Sequence, residues 1–209
     1  MRLRADHIAI ERSGRRLFSE LSFELQSGQA LAVRGPNGAG KTSLLRAVAG
    51  LLPLVEGALS LEGGDEEAPL GEQTHYLGHA DALKGALSAR ENLAFWAAML
   101  APAGTLIGGK APMSVPAALD RVGLSHAIDL PVQALSAGQK RRVALARLLL
   151  AWRPLWLLDE PLTALDQAAQ QRLHEILREH LAAGGLIVAA THAPLDLETS
   201  RELRLEAAP

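Results

Sequence analysis

The sequence predicts an α/β fold: a core with a parallel sheet, a small N-terminal antiparallel β subdomain and a short helical insertion. Three observations carry this expectation. Apolar runs at residues 30–33, 155–158 and 186–190 each close on a polar or glycine-rich loop. Segments of helical period, at 143–152 and 167–181, lie between them. Strands alternating with helices in this way build a parallel sheet that gathers ligands at its carboxyl ends.

In chain order, residues 3–25 and 58–61 read as short strands around turns such as Ser13–Gly14. The run 30–33 leads into Gly35, and a helical stretch follows at 43–49. Residues from about 83 to 131 read as short helices joined by proline- and glycine-rich links, including 101–116. The period at 143–152 stops near Pro154, and that at 167–181 stops at Gly184–Gly185. One domain is expected over 1–209, with a helical subdomain at about 83–131.

Composition removes several classes. Of 209 residues, 48% are hydrophobic and 21% charged, enough apolar material for a sizeable core. The net charge of −2 and the lack of a basic tail argue against nucleic acid as a partner. There is no cysteine, which rules out disulfides, thiolate metal sites and thiol nucleophiles. The N-terminus lacks the apolar centre of a secretion signal. The longest nearly uncharged stretch, 93–107, is too short for a bilayer span and is broken by Pro102 and Gly104. The chain is therefore not expected to cross a membrane alone.

Gly35-Pro36-Asn37-Gly38-Ala39-Gly40-Lys41-Thr42, followed by Ser43, matches G-x-x-x-x-G-K-[ST] between a strand and a helix. Glycines let the backbone curl so that N–H groups point at phosphate oxygens, and the helix N-terminus adds positive potential. Lys41 is placed to reach the β- and γ-phosphates of a nucleoside triphosphate, and the Thr42 hydroxyl to bind Mg²⁺, although the loop alone says no more than that. A glycine-rich turn with an exposed lysine is the plainer alternative. The apolar strand at 155–158 ends in Asp159 and Glu160. Asp159 suits Mg²⁺, directly or through water, and Glu160 suits the base that polarises water. A general base contributes roughly 10²–10⁴ in rate, about 3–5 kcal/mol of barrier. A solvated Asp-Glu pair at a loop start is the plainer alternative here.

Leu135-Ser136-Ala137-Gly138-Gln139 precedes a helix rich in leucine and alanine. It resembles the LSGGQ signature of ATP-binding-cassette ATPases, with Ala137 in place of the commoner glycine. The resemblance implies that Ser136, Ala137, Gly138 and Gln139 of one subunit cap the γ-phosphate held by another. A helix starting there would turn its donors and dipole toward that anion. Thr163-Ala164-Leu165-Asp166 looks like the family's D-loop, whose aspartate contacts the opposite subunit. Thr191-His192, after an apolar strand, looks like the switch histidine at the γ-phosphate. The implied working unit is a head-to-tail dimer around two ATPs, opened by hydrolysis.

Two positions depart from the family pattern. The stretch 11–16 offers no aromatic residue for adenine, which leaves an arginine face or weak stacking. His79 stands where family members carry a glutamine that senses Mg²⁺ and water. It can replace that glutamine in the catalytic set, bind a membrane partner, or be a tolerated surface histidine.

The stretch 76–93, with Ser136–Arg147 and Thr191–Leu195, resembles the ATP-binding subunits of the haem exporters of bacterial cytochrome c maturation. That resemblance implies a peripheral subunit on the cytoplasmic face of the inner membrane, working with polytopic membrane subunits. It implies no haem site in this subunit, and His7, His75, His126, His174 and His180 lack ligand-like spacing. The apolar surface of 93–100, with Phe95 and Trp96, is a candidate groove for a partner helix, although both rings also suit the insertion's own core. A soluble cassette ATPase driving assembly, such as iron–sulfur cluster scaffolding, is the alternative from another class. A P-loop kinase leaves residues 135–139 and His192 unexplained.

Overall fold

The computed structural model describes residues 1–12, 14–100 and 111–206. Ser13 of the expected turn and most of the link at 101–116 lie outside them. The described chain forms two compact units. One comprises the described residues of 1–78, 153–161 and 177–206, and the other those of 79–152 and 162–176.

In the first unit, β1 (Arg2–Arg12) pairs antiparallel with β2 (Arg15–Gln26) and β4 (Glu56–Glu62), in the order β2-β1-β4. A five-stranded sheet holds β3 (Ala30–Arg34), β5 (Thr74–Leu77), β6 (Leu155–Asp159), β7 (Leu186–Ala190) and β8 (Ser200–Arg204). Its order is β5-β6-β7-β3-β8, and every pairing is parallel. Strands β6 and β7 are buried along their whole length, as expected of apolar runs covered on both faces. Helix α1 (Lys41–Val48) lays Leu44, Leu45 and Val48, none of them exposed, into a core with Leu31, Val33, Leu157 and Val188. Each such side chain contributes about 1.5–3 kcal/mol of burial.

The second unit is helical. It contains α2 (Ala89–Leu100), α3 (Val115–Arg121), α4 (Ala137–Ala146) and the first part of α5 (Gln167–Ala182). Ser88 and Glu91 close a reciprocal cap on α2: the Glu91 carboxylate accepts from the Ser88 N–H at 2.7 Å, and the Ser88 hydroxyl accepts from the Glu91 N–H at 3.1 Å. Helix α5 ends as its glycines predict, with Gly184 at φ 87° and its N–H donating to the Leu181 carbonyl.

Three elements differ from expectation. The helix read at 143–152 starts earlier, at Ala137, and tightens to a 3-10 turn at Arg147–Leu149. Leu148, Leu150 and Ala151 are all buried, so the apolar period runs past the helix end and does not mark it. Strand β5 carries buried Thr74 and His75, and β8 is a largely polar edge strand; neither shows an apolar run. His75 and His180, which the sequence leaves as plain polar positions, are core residues. Both are buried against Trp156, whose ring stacks on His180 at 3.8 Å.

Candidate nucleotide-binding active site

Strand β3 runs directly into the glycine loop. Gly35, Gly38 and Gly40 have φ of 148°, 85° and 96°, a region that strains any residue with a Cβ. A Cβ at Gly35 would also strike the Leu205 carbonyl, and one at Gly40 would sit 3.1 Å from the Phe18 ring. Ala39 is buried beneath the loop, while Pro36 and Asn37 are exposed on it. Lys41 opens α1 and folds back over the loop, its Nζ donating to the carbonyls of Gly35 at 2.8 Å and Pro36 at 3.1 Å. Gly40 caps α1 without a side-chain acceptor, and the helix's first turn carries no acidic residue. The leading N–H groups and the positive helix end are thus left for an anion. Ser43 is buried one step further along.

The Thr42 hydroxyl donates to Asp159 Oδ2 at 2.9 Å, and Asp159 is 4% exposed at the end of β6. A hydroxyl beside a carboxylate is the hard oxygen pair that Mg²⁺ takes, so these residues fit the metal. Behind them, Arg46 of α1 hydrogen-bonds Tyr76 of β5 and faces Asp159. The bond to Tyr76 first, then attraction to Tyr76 and, more weakly, to Asp159, raise its pKa above the usual arginine value, against a partial lowering by burial.

Glu160 follows at φ 48°, a left-handed conformation that costs a glutamate of order 1 kcal/mol or more. Its N–H donates to the Ala190 carbonyl at 2.8 Å, which ties the end of β6 to the end of β7. Beyond β7, His192 Nε2 stands 3.5 Å from Glu160 Oε1, with 59% of the histidine side chain exposed. The structure therefore brings Gly35–Ser43, Asp159, Glu160 and His192 together within one unit, at the carboxyl ends of β3, β6 and β7.

The remaining predicted residues lie in the helical unit. Ser136 caps α4: its hydroxyl accepts from the Gln139 N–H at 3.2 Å, and the Gln139 side chain accepts from the Ser136 N–H at 2.8 Å. Gln139 is thus occupied by the cap. Ala137 is exposed, whereas a Cβ on Gly138 would lie 2.7 Å from the Ala164 carbonyl. Asp166 caps α5, its carboxylate accepting from the Ala169 N–H at 2.8 Å. His79 is exposed at the first position of the unit.

Sequence reasoning missed Arg34 and Arg46. An arginine closing an otherwise apolar strand directly before Gly35 was the available signal for the first; nothing in the pattern marks the second.

Known proteins agree with this geometry. The solved structure of a putative ABC transporter ATP-binding protein from Pyrococcus furiosus covers 97% of this chain and 98% of its own, with TM-score 0.78 at 20% identity. An ATP-binding subunit of an ABC transporter matches over 98% of this chain and 88% of its own, with TM-score 0.78 at 23% identity. At that identity they speak to the fold. The cytochrome c biogenesis ATP-binding export protein CcmA of Rhodopseudomonas palustris strain BisB5 is 53% identical over 94% of each chain. The protein of the same name from Bradyrhizobium diazoefficiens is 54% identical over 98% of each. The ABC transporter family description matches residues 18–163, a span that holds the glycine loop, the signature and both carboxylates. With the phosphate loop, the Thr42–Asp159 pair and Glu160 in this order on this sheet, the chain belongs to the ABC transporter family, as one of its ATP-hydrolysing subunits.

Proposed function

We propose that this chain is the ATP-hydrolysing subunit of a membrane export complex of cytochrome c biogenesis, acting on haem. The observation that carries the reading is the meeting of the Lys41 loop, Asp159, Glu160 and His192 at the sheet's carboxyl ends, in a sequence about half identical to named export proteins.

Lys41 and the amino end of α1 hold the β- and γ-phosphates of ATP. Thr42 and Asp159 would hold Mg²⁺, which would offset the charge of the phosphate oxygens. Glu160 takes the proton of the attacking water, and His192 orients the γ-phosphate beside it. Ser136 and Gly138 of a second copy close over the same phosphate, so two copies enclose two ATPs, with Asp166 at the junction. His79 takes the water-sensing place of a glutamine.

Export requires a partner within the bilayer, because no helix among the described residues is long and apolar enough to cross a membrane. Polytopic subunits hold the chain at the cytoplasmic face of the inner membrane. Helix α2 offers them Phe95 and Met99, 55% and 64% exposed, while Leu93 is buried. Trp96 is half-buried, with the Arg147 guanidinium 4.3 Å above its ring. Polar replacement of Phe95 and Met99 is expected to release the chain from membranes and leave ATP binding intact; unchanged membrane association would sink this docking role.

The test is affinity purification of tagged Glu160→Gln from detergent-solubilised membranes with Mg-ATP, followed by mass spectrometry. Recovery of polytopic cytochrome c maturation subunits is the expected result. Recovery of another permease, or of soluble assembly factors only, removes haem export and leaves the ATPase.

A further inference from the structure

Arg34 occupies an unusual place: it is the last residue of β3 and the one that immediately precedes Gly35. Its main-chain carbonyl accepts from the Leu205 N–H at 2.8 Å, and the neighbouring Val33 carbonyl accepts from the Thr191 N–H at 3.3 Å. Its side chain reaches two further elements. Nη1 donates to the His192 carbonyl at 3.3 Å, and Nε lies 3.1 Å from Glu202 Oε2 of β8. The Nη1 contact is a hydrogen bond, whereas the contact of the buried Nε with Glu202 is a charge pairing without hydrogen-bond alignment, so Glu202 anchors the guanidinium by its charge.

His192 needs such a restraint. It lies past the end of β7 on a short turn, in which the Thr191 hydroxyl bonds both the N–H and the carbonyl of Ala193 at 3.1 Å. The Thr191 N–H, bonded to the Val33 carbonyl at 3.3 Å, ties the residue before His192 to β3, and the Arg34 bond carries that tie on to the His192 carbonyl. With its ring largely in solvent, His192 keeps its 3.5 Å separation from Glu160 only if its main chain is held.

We infer that Arg34 is a positioning residue for His192: anchored by Glu202, it holds the His192 main chain and so sets where the imidazole meets the terminal phosphate. The inference rests on the proposed contact between His192 and the γ-phosphate. ADP lacks that phosphate, so the device acts on ATP and not on ADP.

The test uses the full chain in the Glu160→Gln background, where turnover does not blur binding. Affinities for Mg-ATP and Mg-ADP are measured by displacement of a fluorescent nucleotide, alongside melting temperatures. Arg34→Met is expected to lower the preference for ATP over ADP by roughly three- to tenfold, the scale of one hydrogen bond, with ADP affinity unchanged. Glu202→Gln, at a carboxylate that is 53% exposed, gives a smaller shift in the same direction, with the melting temperature reporting any loss of fold. In a His192→Ala background Arg34→Met adds nothing, because both act through one contact. Equal losses for ATP and ADP, or full additivity with His192→Ala, make Arg34 a support of the loop and overturn the inference. If His192→Ala lowers the preference while Arg34→Met and Glu202→Gln do not, the inference alone falls. If His192→Ala has no effect, the role proposed for His192 is wrong and Arg34 falls with it.

Discussion

The Thr42 hydroxyl and the Asp159 carboxylate meet at 2.9 Å, joining the first turn of α1 to the carboxyl end of β6. The bond places a neutral donor against a buried carboxylate, in the position where two oxygens can turn to one cation. Asp159→Asn keeps the shape and the acceptor for Thr42, so the melting temperature should stay close to the parent's. Mg²⁺ should then no longer strengthen ATP binding, and hydrolysis should fall by about 10²-fold or more, as when a preorganised charge is removed. Nucleotide titrations with and without Mg²⁺ check this. An unchanged Mg²⁺ dependence would place the metal elsewhere.

Glu160 combines a strained backbone, at φ 48°, with a carboxylate beside His192. Glu160→Gln should slow hydrolysis by roughly 10²–10⁴-fold while ATP stays bound and the chain accumulates as a dimer. Light scattering with Mg-ATP reads the dimer, and phosphate release reads the rate. Hydrolysis at the parent rate takes the base away from Glu160. Glu160→Gly removes the strain as well as the carboxylate, so it should melt no earlier than the parent despite being inactive.

The sites that could be read from the sequence are those whose chemistry is local. The glycine loop, the carboxylates Asp159 and Glu160 and the Ser136 segment are each short runs of the chain, lying between β3 and α1, at the end of β6 and at the start of α4. Strands β3, β6 and β7 were legible because burial on both faces leaves an uninterrupted apolar run. What stayed hidden depends on distant partners. His180 and Trp156 stack although 24 residues separate them in number (180 − 156), and no periodicity reports ring contact. Arg34 meets His192 and Glu202 only after β7 and β8 have flanked β3. The left-handed turn at Glu160 is equally silent, since glutamate is not a residue whose local preference marks a positive φ.

The signature tolerates alanine at one position and not at the next. Ala137 is exposed, whereas a Cβ on Gly138 would lie 2.7 Å from the Ala164 main-chain carbonyl. Gly138→Ala must therefore displace the loop that leads to Asp166, at a cost of about 1–3 kcal/mol. Ala137→Gly should change stability by no more than about 1 kcal/mol, the helix propensity difference. Urea unfolding separates the two. Equal effects would mean that the Ala164 loop yields freely.

The cap of α2 gives a prediction in pH. The Ser88 N–H and then the Ser88 hydroxyl hold the Glu91 pKa below its usual 4.5, against weaker opposing effects of desolvation and Asp129. A carboxylate with a depressed folded pKa contributes stability above its unfolded value and loses it as pH falls through the folded one. The stability gap between parent and Glu91→Gln should therefore be widest near neutral pH and close below 4.5. A gap that persists in acid would show that the charge is irrelevant to the cap.

Two ion pairs of similar length should differ in worth because of where they sit. Arg141 of α4 bonds Asp81 at 2.9 Å with side chains 5% and 25% exposed, while Arg90 bonds Asp129 at 2.8 Å with 45% and 72% exposed. The second guanidinium facing Asp81 is Arg147, whose pKa burial pushes down to about 10 while the Asp81 charge pulls it back up. Asp81→Ala thus withdraws a carboxylate from two buried cations, and should cost about 3 kcal/mol. Asp129→Ala leaves a solvated arginine and should cost less than about 1 kcal/mol. Asp81→Asn should fall between them, since an amide keeps an acceptor for Arg141 but not the charge. Urea titrations of the three variants give the order directly. A cost for Asp81→Ala no larger than for Asp129→Ala would mean that water screens the Arg141 pair despite its burial.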